Sequence, residues 1–411
     1  MRVGGPRLAA LLTYYSVDWK GVLPGRTTVL CLGRESFYKD IKELRKRTVL
    51  NFPTVTAGFT RFQSEWVPLC SQEQTFYQNK HPMDKSVALK SRQYAQFLIW
   101  LVSRKVQVHA IMSANLDYWQ DAGFKDVCAS ENIPFVVLSR EHPIVPEVCD
   151  IVSKRYADAR YRFKGTKIAV AGQSSKDVIC KRSNVCSEHD VIVTGLPRFD
   201  AWFDVDTTRP KRNRSNITLL TFTRGYFADE TFKEVLDIFC RSASTLSSES
   251  VRFLVKTKDC EDTLAVKMII KERGLYNVEV DHARDLFDIL PESKLVLGYN
   301  SLSLVEAVMA NAEVVVPAWG QCRSSGDNVM YSEDNANVAN VLSFAKNPVE
   351  MYDFIDLAIK GSFRGVDQEE LDRFVGRYIY RPARGSSCEV SKLVNEVIVA
   401  NKVADRRAIS Q

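Results

Sequence analysis

The residues best placed to do chemistry together are Asn300, Ser301, Ser303 and Glu306, inside the stretch LVLGYNSLSLVEAVMANAEVVVPAWG from Leu295 to Gly320. Apolar runs at Leu295 to Leu297 and Val314 to Val316 flank a turn at Gly298 and an amphipathic period. That is the order strand, turn, helix, strand of a parallel α/β unit. At the carboxyl end of such a strand, the free N–H groups of a starting helix favour an anion. The two serine hydroxyls add donors there, and Glu306, in the second turn, could accept from both hydroxyls of a ribose. A phosphate beside a ribose describes a nucleotide. The plain alternative is a capped helix packed on a sheet, with Asn300 or Ser301 as N-cap and Glu306 in solvent.

Other strand exits bring charge to the same rim. Strands expected at Ile217 to Phe222, Val251 to Val255 and Val278 to Val280 deliver Arg224, Lys256, Lys258 and His282. Cations converging on a helix start favour a pyrophosphate. In the amino-terminal half, strands expected at Thr27 to Leu32, Val106 to Met112 and Phe135 to Leu138 lead to two polar loops, Ser113 to Asp117 and Ser139-Arg140-Glu141-His142-Pro143. Glu141 or His142 could take a proton from a hydroxyl; the alternative is a loop held by local salt bridges. A further strand, Val191 to Thr194, runs into Gly195-Leu-Pro-Arg198-Phe-Asp200. There Gly195 permits an unusual backbone angle and Pro197 ends regular pairing.

These elements alternate regularly enough for two α/β domains, and 411 residues suffice for two cores. The charged, proline-containing run Asp204 to Arg214, DVDTTRPKRNR, reads as the connection. It separates a first domain over 1–205 from a second over 215–385, with a helix in 386–411 packing back on the first. Helices are expected at Val338 to Ala345, Val349 to Ile359, Asp367 to Tyr378 and Ser387 to Ala400, and the loop from Cys322 to Asn337 is expected to be mobile.

Composition narrows the classes. A content of 45% hydrophobic and 26% charged residues is that of a soluble globular chain, and no apolar run reaches the length of a spanning helix. A net charge of +6 is too weak to announce nucleic-acid binding, though it suits phosphorylated ligands or an anionic membrane surface. Ten cysteines without a C-x-x-C pair suggest neither a zinc site nor a disulfide framework, and so a cytoplasmic protein with reduced thiols. Asp204-Val-Asp206 matches a short metal-binding pattern but lies in the connection, so no metal is expected.

Three stretches in order, VTGLPRFD (Val193 to Asp200), FLVKTK (Phe253 to Lys258) and LGYNSLSLVEAVMANAEVVVPAWG, carry a resemblance to the GT-B glycosyltransferases. More narrowly, the chain resembles those of bacterial surface-carbohydrate biosynthesis (capsule and O-antigen), such as the β-Kdo transferases that use CMP-Kdo and the CDP-glycerol-type transferases. The resemblance covers residues 100 to 325. It implies two Rossmann-like doubly wound domains facing across a cleft, with the donor nucleotide on the second. Asn300, Ser301 and Ser303 would then lie at the donor phosphate or base, Glu306 at the ribose, Lys256 and Lys258 near the donor's charged groups, and Gly195 and Arg198 at the cleft. The base would come from the first domain, as Glu141 or His142. A retaining enzyme would instead need a carboxylate near the sugar, and Asp229 is the candidate. No cofactor or metal is implied. The partners would be a nucleotide-sugar donor and a glycan or lipid-linked acceptor, at or near the inner membrane surface. The chain departs from the glycerophosphate polymerases in lacking a longer histidine-proline motif around SREHP. Alternatives are polyol-phosphate transfer, epimerisation of a UDP-sugar, for which the rim reads more basic than acidic, and a non-catalytic nucleotide-binding scaffold.

Overall fold

The computed structural model describes residues 4–34, 37–56, 58, 62–69, 84–116, 118–139, 146–204, 214–222, 229–246, 250–258, 260–275, 277–323, 329–362 and 367–409. The chain divides into two compact units, Met1–Asp200 with Ile379–Gln411, and Ala201–Tyr378.

The first unit is built on six parallel strands: β1 (Val29–Leu32), β2 (Thr54–Val55), β3 (Ala110–Ser113), β4 (Phe135–Ser139), β5 (Lys167–Val170) and β6 (Val191–Val193). Their order across the sheet is β2-β1-β3-β4-β5-β6. All four residues of β1 are buried, as are all four of β3, the pattern of a sheet covered on both faces. Helices of seven residues or more are α1 (Pro6–Tyr15), α2 (Tyr38–Arg47), α3 (Lys85–Ser103), α4 (Ala122–Ser130) and α5 (Cys149–Ala159). In α3, the Asp84 carboxylate caps the first turn by accepting the Val87 N–H at 2.8 Å. Val87, Ser91, Tyr94, Ala95, Leu98, Ile99 and Val102 then recur at helical spacing as its buried face.

The second unit has β7 (Asn216–Leu220), β8 (Arg252–Lys256), β9 (Val278–Asp281), β10 (Ser293–Leu297), β11 (Glu313–Pro317) and β12 (Ser343–Ala345), again all parallel. Its described helices of seven residues or more are α6 (Asp229–Leu246), α7 (Cys260–Glu272), α8 (Ser303–Met309), α9 (Pro348–Lys360) and α10 (Gln368–Tyr378); α11 (Ser386–Ile409) belongs to the first unit. The sheet order β12-β11-β10-β7-β8-β9 is the doubly wound arrangement in which the first strand lies beside the fourth. In such sheets the crevice outside the carboxyl ends of those two strands is where ligands bind. In the second unit that point lies between β7 and β10. In the first, whose order begins second, first, third, it lies between β1 and β3.

Several elements differ from expectation. The strand expected from Val106 begins at Ala110, because the Val106 N–H instead closes the end of α3 on the Val102 carbonyl at 3.0 Å. The helix expected over Val338 to Ala345 is a short helix, Ala336–Ala339, followed by β12, whose backbone pairs with β11. The part of the expected mobile loop that is described is ordered, since Tyr331 is 1% exposed and stacks on Phe374 and Tyr378.

Candidate functional site

The second unit's switch point is formed by the residues leaving β7, Thr221 and Phe222, and those leaving β10, Gly298 to Ser301. The Thr221 N–H extends the β8 pairing to the Lys256 carbonyl at 3.0 Å, and its buried hydroxyl has no partner among the described residues. Phe222 packs its ring 5.7 Å from Tyr299 and 5.0 Å from Phe232. Burial and the neighbouring Cys322 push the Tyr299 hydroxyl up to about 12, so Tyr299 stays a neutral donor at ordinary pH. Gly298 packs closely under α8, where a Cβ would come within 2.9 Å of the Leu304 Cδ2 methyl and oblige that side chain to shift.

Asn300 adopts the left-handed conformation (φ +49°), which asparagine tolerates better than most residues. The Ser301 hydroxyl accepts the Ser303 N–H at 3.2 Å, and its carbonyl accepts the Leu304 N–H at 3.0 Å. Ser301 thus holds the turn that leads into α8, whose N-cap position is Leu302 without a side-chain cap. Every residue from Leu304 to Ala310 is buried, so the helix expected to be amphipathic is enclosed on all sides. Glu306 is 5% exposed, and the alternative of a solvated carboxylate does not hold.

The strand order spaces the remaining calls. Lys256 ends β8, half-buried, and Lys258 follows it, exposed. At about 4.8 Å per strand, these lie roughly 10 Å along the rim from the Asn300 turn, and the β9 exit roughly 14 Å. There His282 is exposed, with its Nε2 3.3 Å from the Cys260 sulfur. Asn300, Ser301, Ser303 and Glu306 are therefore one cluster, with Lys256 and Lys258 further along and His282 at the far end. Before His282, burial pushes the Asp281 carboxyl up, but hydrogen bonds from the Arg284 guanidinium and the Ala283 and Arg284 N–H groups outweigh it and hold it low. Glu141, His142 and Arg224 lie outside the described residues. Asp229 opens α6, and its side chain also lies outside them.

Gly195 and Arg198 belong to the first unit. Gly195 (φ +71°) faces the returning chain so closely that a Cβ would come within 2.4 Å of the Tyr380 carbonyl oxygen. The Arg198 N–H donates to Asp40 at 3.1 Å, and its guanidinium lies over the Phe199 ring. Asp200 accepts the N–H groups of Ser386 and Ser387, both at 2.7 Å, at the start of α11. The VTGLPRFD stretch is thus a seat for the carboxyl-terminal helix within its own unit.

Among the described residues, no three His, Cys, Asp or Glu side chains gather as a metal site, and no helix is long and apolar enough to cross a membrane. The nine described cysteines are free thiols.

Two Rossmann-like doubly wound α/β units in one chain define the GT-B fold class. No family model matches the sequence. No curated protein matches it either. Among solved structures, a variant of the wall teichoic acid polymerase TagF matches with a TM-score of 0.55 at 10% identity, over 96% of this chain and 94% of that one. A UDP-N-acetylglucosamine 2-epimerase matches with a TM-score of 0.52 at 13% identity, over 91% and 95%. The UDP-GlcNAc 2-epimerase of Neisseria meningitidis, bound to UDP-GlcNAc, matches with a TM-score of 0.50 at 13% identity, over 90% and 100%. At such identities the likeness is one of fold.

Proposed function

We propose that this chain is a nucleotide-sugar enzyme, a glycosyltransferase that moves a sugar from a nucleotide donor to a surface glycan or lipid-linked acceptor. The observation that carries the reading is the position of the Gly298 to Ser301 turn, at the point between β7 and β10 where a doubly wound sheet binds its ligand. Around it stand hydroxyl groups and a buried carboxylate, with lysines at the next exit but one. The fold matches support a nucleotide sugar as substrate, since one solved relative holds UDP and another UDP-GlcNAc. The donor base and sugar are matters for test, with CMP-Kdo the specific candidate. A lipid-linked acceptor would bring the chain to a membrane surface.

Epimerisation of a UDP-sugar is the second reading, favoured by the repeated match to 2-epimerases over nearly the whole chain. The two separate by product. A thermal-shift screen with CMP, CDP, UDP, GDP and ADP identifies the base. At about 100 times the dissociation constant a nucleotide stabilises by about 2.7 kcal/mol, or roughly 5–10 °C for a unit of this size. Incubation with the matching donor then shows either an isomerised sugar nucleotide or a freed nucleotide with a glycosylated acceptor. A screen in which no nucleotide raises the melting temperature overturns the reading.

A further inference from the structure

The connection from β5 to β6 in the first unit brings two cysteines together. It opens with a short helix, Gln173–Asp177, and continues as a π-helical turn, Val178–Arg182, which carries Cys180. Turns of this kind hold an extra residue and cluster at functional places. This one ends at Asn184, in the left-handed conformation (φ +53°). The Ser183 N–H donates to the Val178 carbonyl at 3.0 Å, and the Val185 N–H donates to the Ile179 carbonyl at 2.8 Å. Ile179 and Val185 are the chain neighbours of Cys180 and Cys186, so the pairing that closes the turn also sets the two thiols side by side. Each thiol is the other's hydrogen-bond partner. Cys180 is buried, with its sulfur 3.6 Å from the Ser187 carbonyl oxygen, and Cys186 is half-buried.

The turn is tied down on both sides of the pair. Arg182 reaches Asp150 on α5 at 2.5 Å, and Lys176 reaches Glu188 at 3.7 Å. The sulfurs are therefore held together by the surrounding chain and not only by each other. A disulfide brings two sulfurs to about 2.05 Å with Cβ atoms about 3.8 Å apart, and thiols already in contact have made most of that approach.

Burial pushes both thiols up, Cys186 to about 12, with Cys180 and Asp190 adding to the push and Lys167 opposing it. The thiolate is the reacting form, so a single encounter with an oxidant is slow at neutral pH. What the geometry adds is a second sulfur within reach, which makes the closing step intramolecular. The exposed Cys260 lacks this arrangement, since its neighbour at 3.3 Å is the His282 imidazole.

We propose that Cys180 and Cys186 are a modification site, a dithiol that a small disulfide such as glutathione disulfide oxidises to an intramolecular disulfide. Cys186, the more exposed of the two, attacks as its thiolate. A bond forms between its sulfur and one glutathione sulfur, the S–S bond of the oxidant breaks, and the first glutathione leaves and takes up a proton. Cys180 gives its proton to solvent, attacks the Cys186 sulfur and expels the second glutathione, which is protonated in turn. The dithiol loses two electrons and two protons, and the oxidant gains them as two thiols. The site stands independently of the nucleotide reading of the second unit.

The test incubates the folded full chain with an excess of glutathione disulfide, quenches with acid, blocks the remaining thiols and maps the protein by mass after trypsin. Cleavage after Lys181 and Arg182 separates the two cysteines, so their disulfide appears as fragment 177–181 joined to fragment 183–198. Wild type should give that joined pair as the main product at these positions, and dithiothreitol should reverse it. Cys180→Ser should stall with glutathione on Cys186, because no second thiol resolves it, whereas Cys186→Ser should leave Cys180 a free thiol. In a fixed glutathione buffer, the ratio of joined pair to free thiols should be at least about tenfold higher in the folded chain than in guanidinium, since the fold holds the sulfurs together. Wild type with both thiols untouched while Cys260 carries glutathione overturns the proposal. So does wild type that stops at glutathione on Cys186, and so do equal ratios in the folded and unfolded chain. These three outcomes are read on wild type and stand whether or not either variant folds.

Discussion

The side-chain oxygen of Asn300 accepts the Met330 N–H at 2.6 Å, joining the turn after β10 to a segment thirty residues later. The next residue repeats the connection, since the Tyr331 hydroxyl donates to the Ser301 carbonyl at 2.7 Å. Tyr331 is in turn seated on α10, with ring centres 6.2 Å from Phe374 and 5.3 Å from Tyr378. The turn is therefore clamped from outside as well as by α8, and it presents a fixed backbone to whatever binds there. Preorganisation of this kind cuts the ordering cost of binding.

Asn300 separates the structural from the binding role. Asn300→Ala leaves the Met330 N–H without its acceptor, at about 1–3 kcal/mol, and puts a Cβ-bearing residue without a local hydrogen bond at positive φ, at about 1–2 kcal/mol. Chemical denaturation should show a loss of roughly 2–5 kcal/mol. Asn300→Asp keeps the acceptor oxygen and the tolerance for that backbone, so its denaturation midpoint should stay near wild type. Under the nucleotide reading, its added negative charge beside the phosphate should still weaken nucleotide binding by at least about tenfold, the effect of a like charge in a partly buried site. Equal nucleotide affinity in Asn300→Asp and wild type would place the phosphate elsewhere.

The two glycines at φ +71° test packing against conformation. Gly361, just past α9, has open space where a Cβ would go, so Gly361→Ala should lose only the left-handed penalty of about 1–2 kcal/mol. Gly195→Ala adds to the same penalty a Cβ 2.4 Å from the Tyr380 carbonyl oxygen and 2.5 Å from the Ser386 hydroxyl. With backbone on one side, neither neighbour yields easily, and the loss should exceed about 3 kcal/mol. Urea midpoints of the two variants give the comparison, and similar values would mean that the returning chain can shift away from Gly195.

Sequence pattern made the sheets readable and left the polar interior hidden. Val29 to Leu32 and Leu295 to Leu297 announced themselves because a strand covered on both faces is an unbroken apolar run ended by glycine. β2, two residues long, and β12, half-buried at a sheet edge, carry too few residues to show a period. Around Glu306 the run Leu304 to Met309 is otherwise apolar, the pattern of a helix buried on every side, whereas a lone glutamate in such a run reads locally as a solvent- or ligand-facing carboxylate. Asp121 was invisible for another reason. Its burial depends on which strands are neighbours, and a strand order of second, first, third cannot be read from local pattern. The bracing of Asn300 by Met330 is likewise a long-range fact inside a stretch rich in serine, glycine and asparagine.

Asp200 should govern the carboxyl-terminal helix. Its two oxygens take the N–H groups of Ser386 and Ser387 where the positive end of a 24-residue helix sits. Asp200→Ala removes both bonds from buried donors and should lower stability by roughly 2–4 kcal/mol. Asp200→Asn keeps one acceptor and should fall between. Hydrogen exchange localises the effect, with the first-turn amides of α11 exchanging faster in the alanine variant. Unchanged protection there would show that α11 is held by its apolar face, including Val390 and Val394, and not by its cap.

Asp121 makes a pH-dependent prediction whose sign follows from its environment. Burial raises its carboxyl in the folded state above the unfolded value, over the opposing pull of Arg34, Lys125 and Ser113. The folded state therefore holds the proton more tightly than the unfolded state. Its stability contribution is fully present below the unfolded pKa, about 3.9 for aspartate, and is lost as pH rises through the folded value. Asparagine mimics the protonated form at every pH. Asp121→Asn should thus melt with wild type near the acid end of the stable range and above it at neutral pH, with the gap opening as pH rises. Scanning calorimetry of both proteins across the acid-to-neutral range measures that gap. A variant that melts below wild type at neutral pH would mean that the ionised carboxylate stabilises the fold through Arg34 and Lys125.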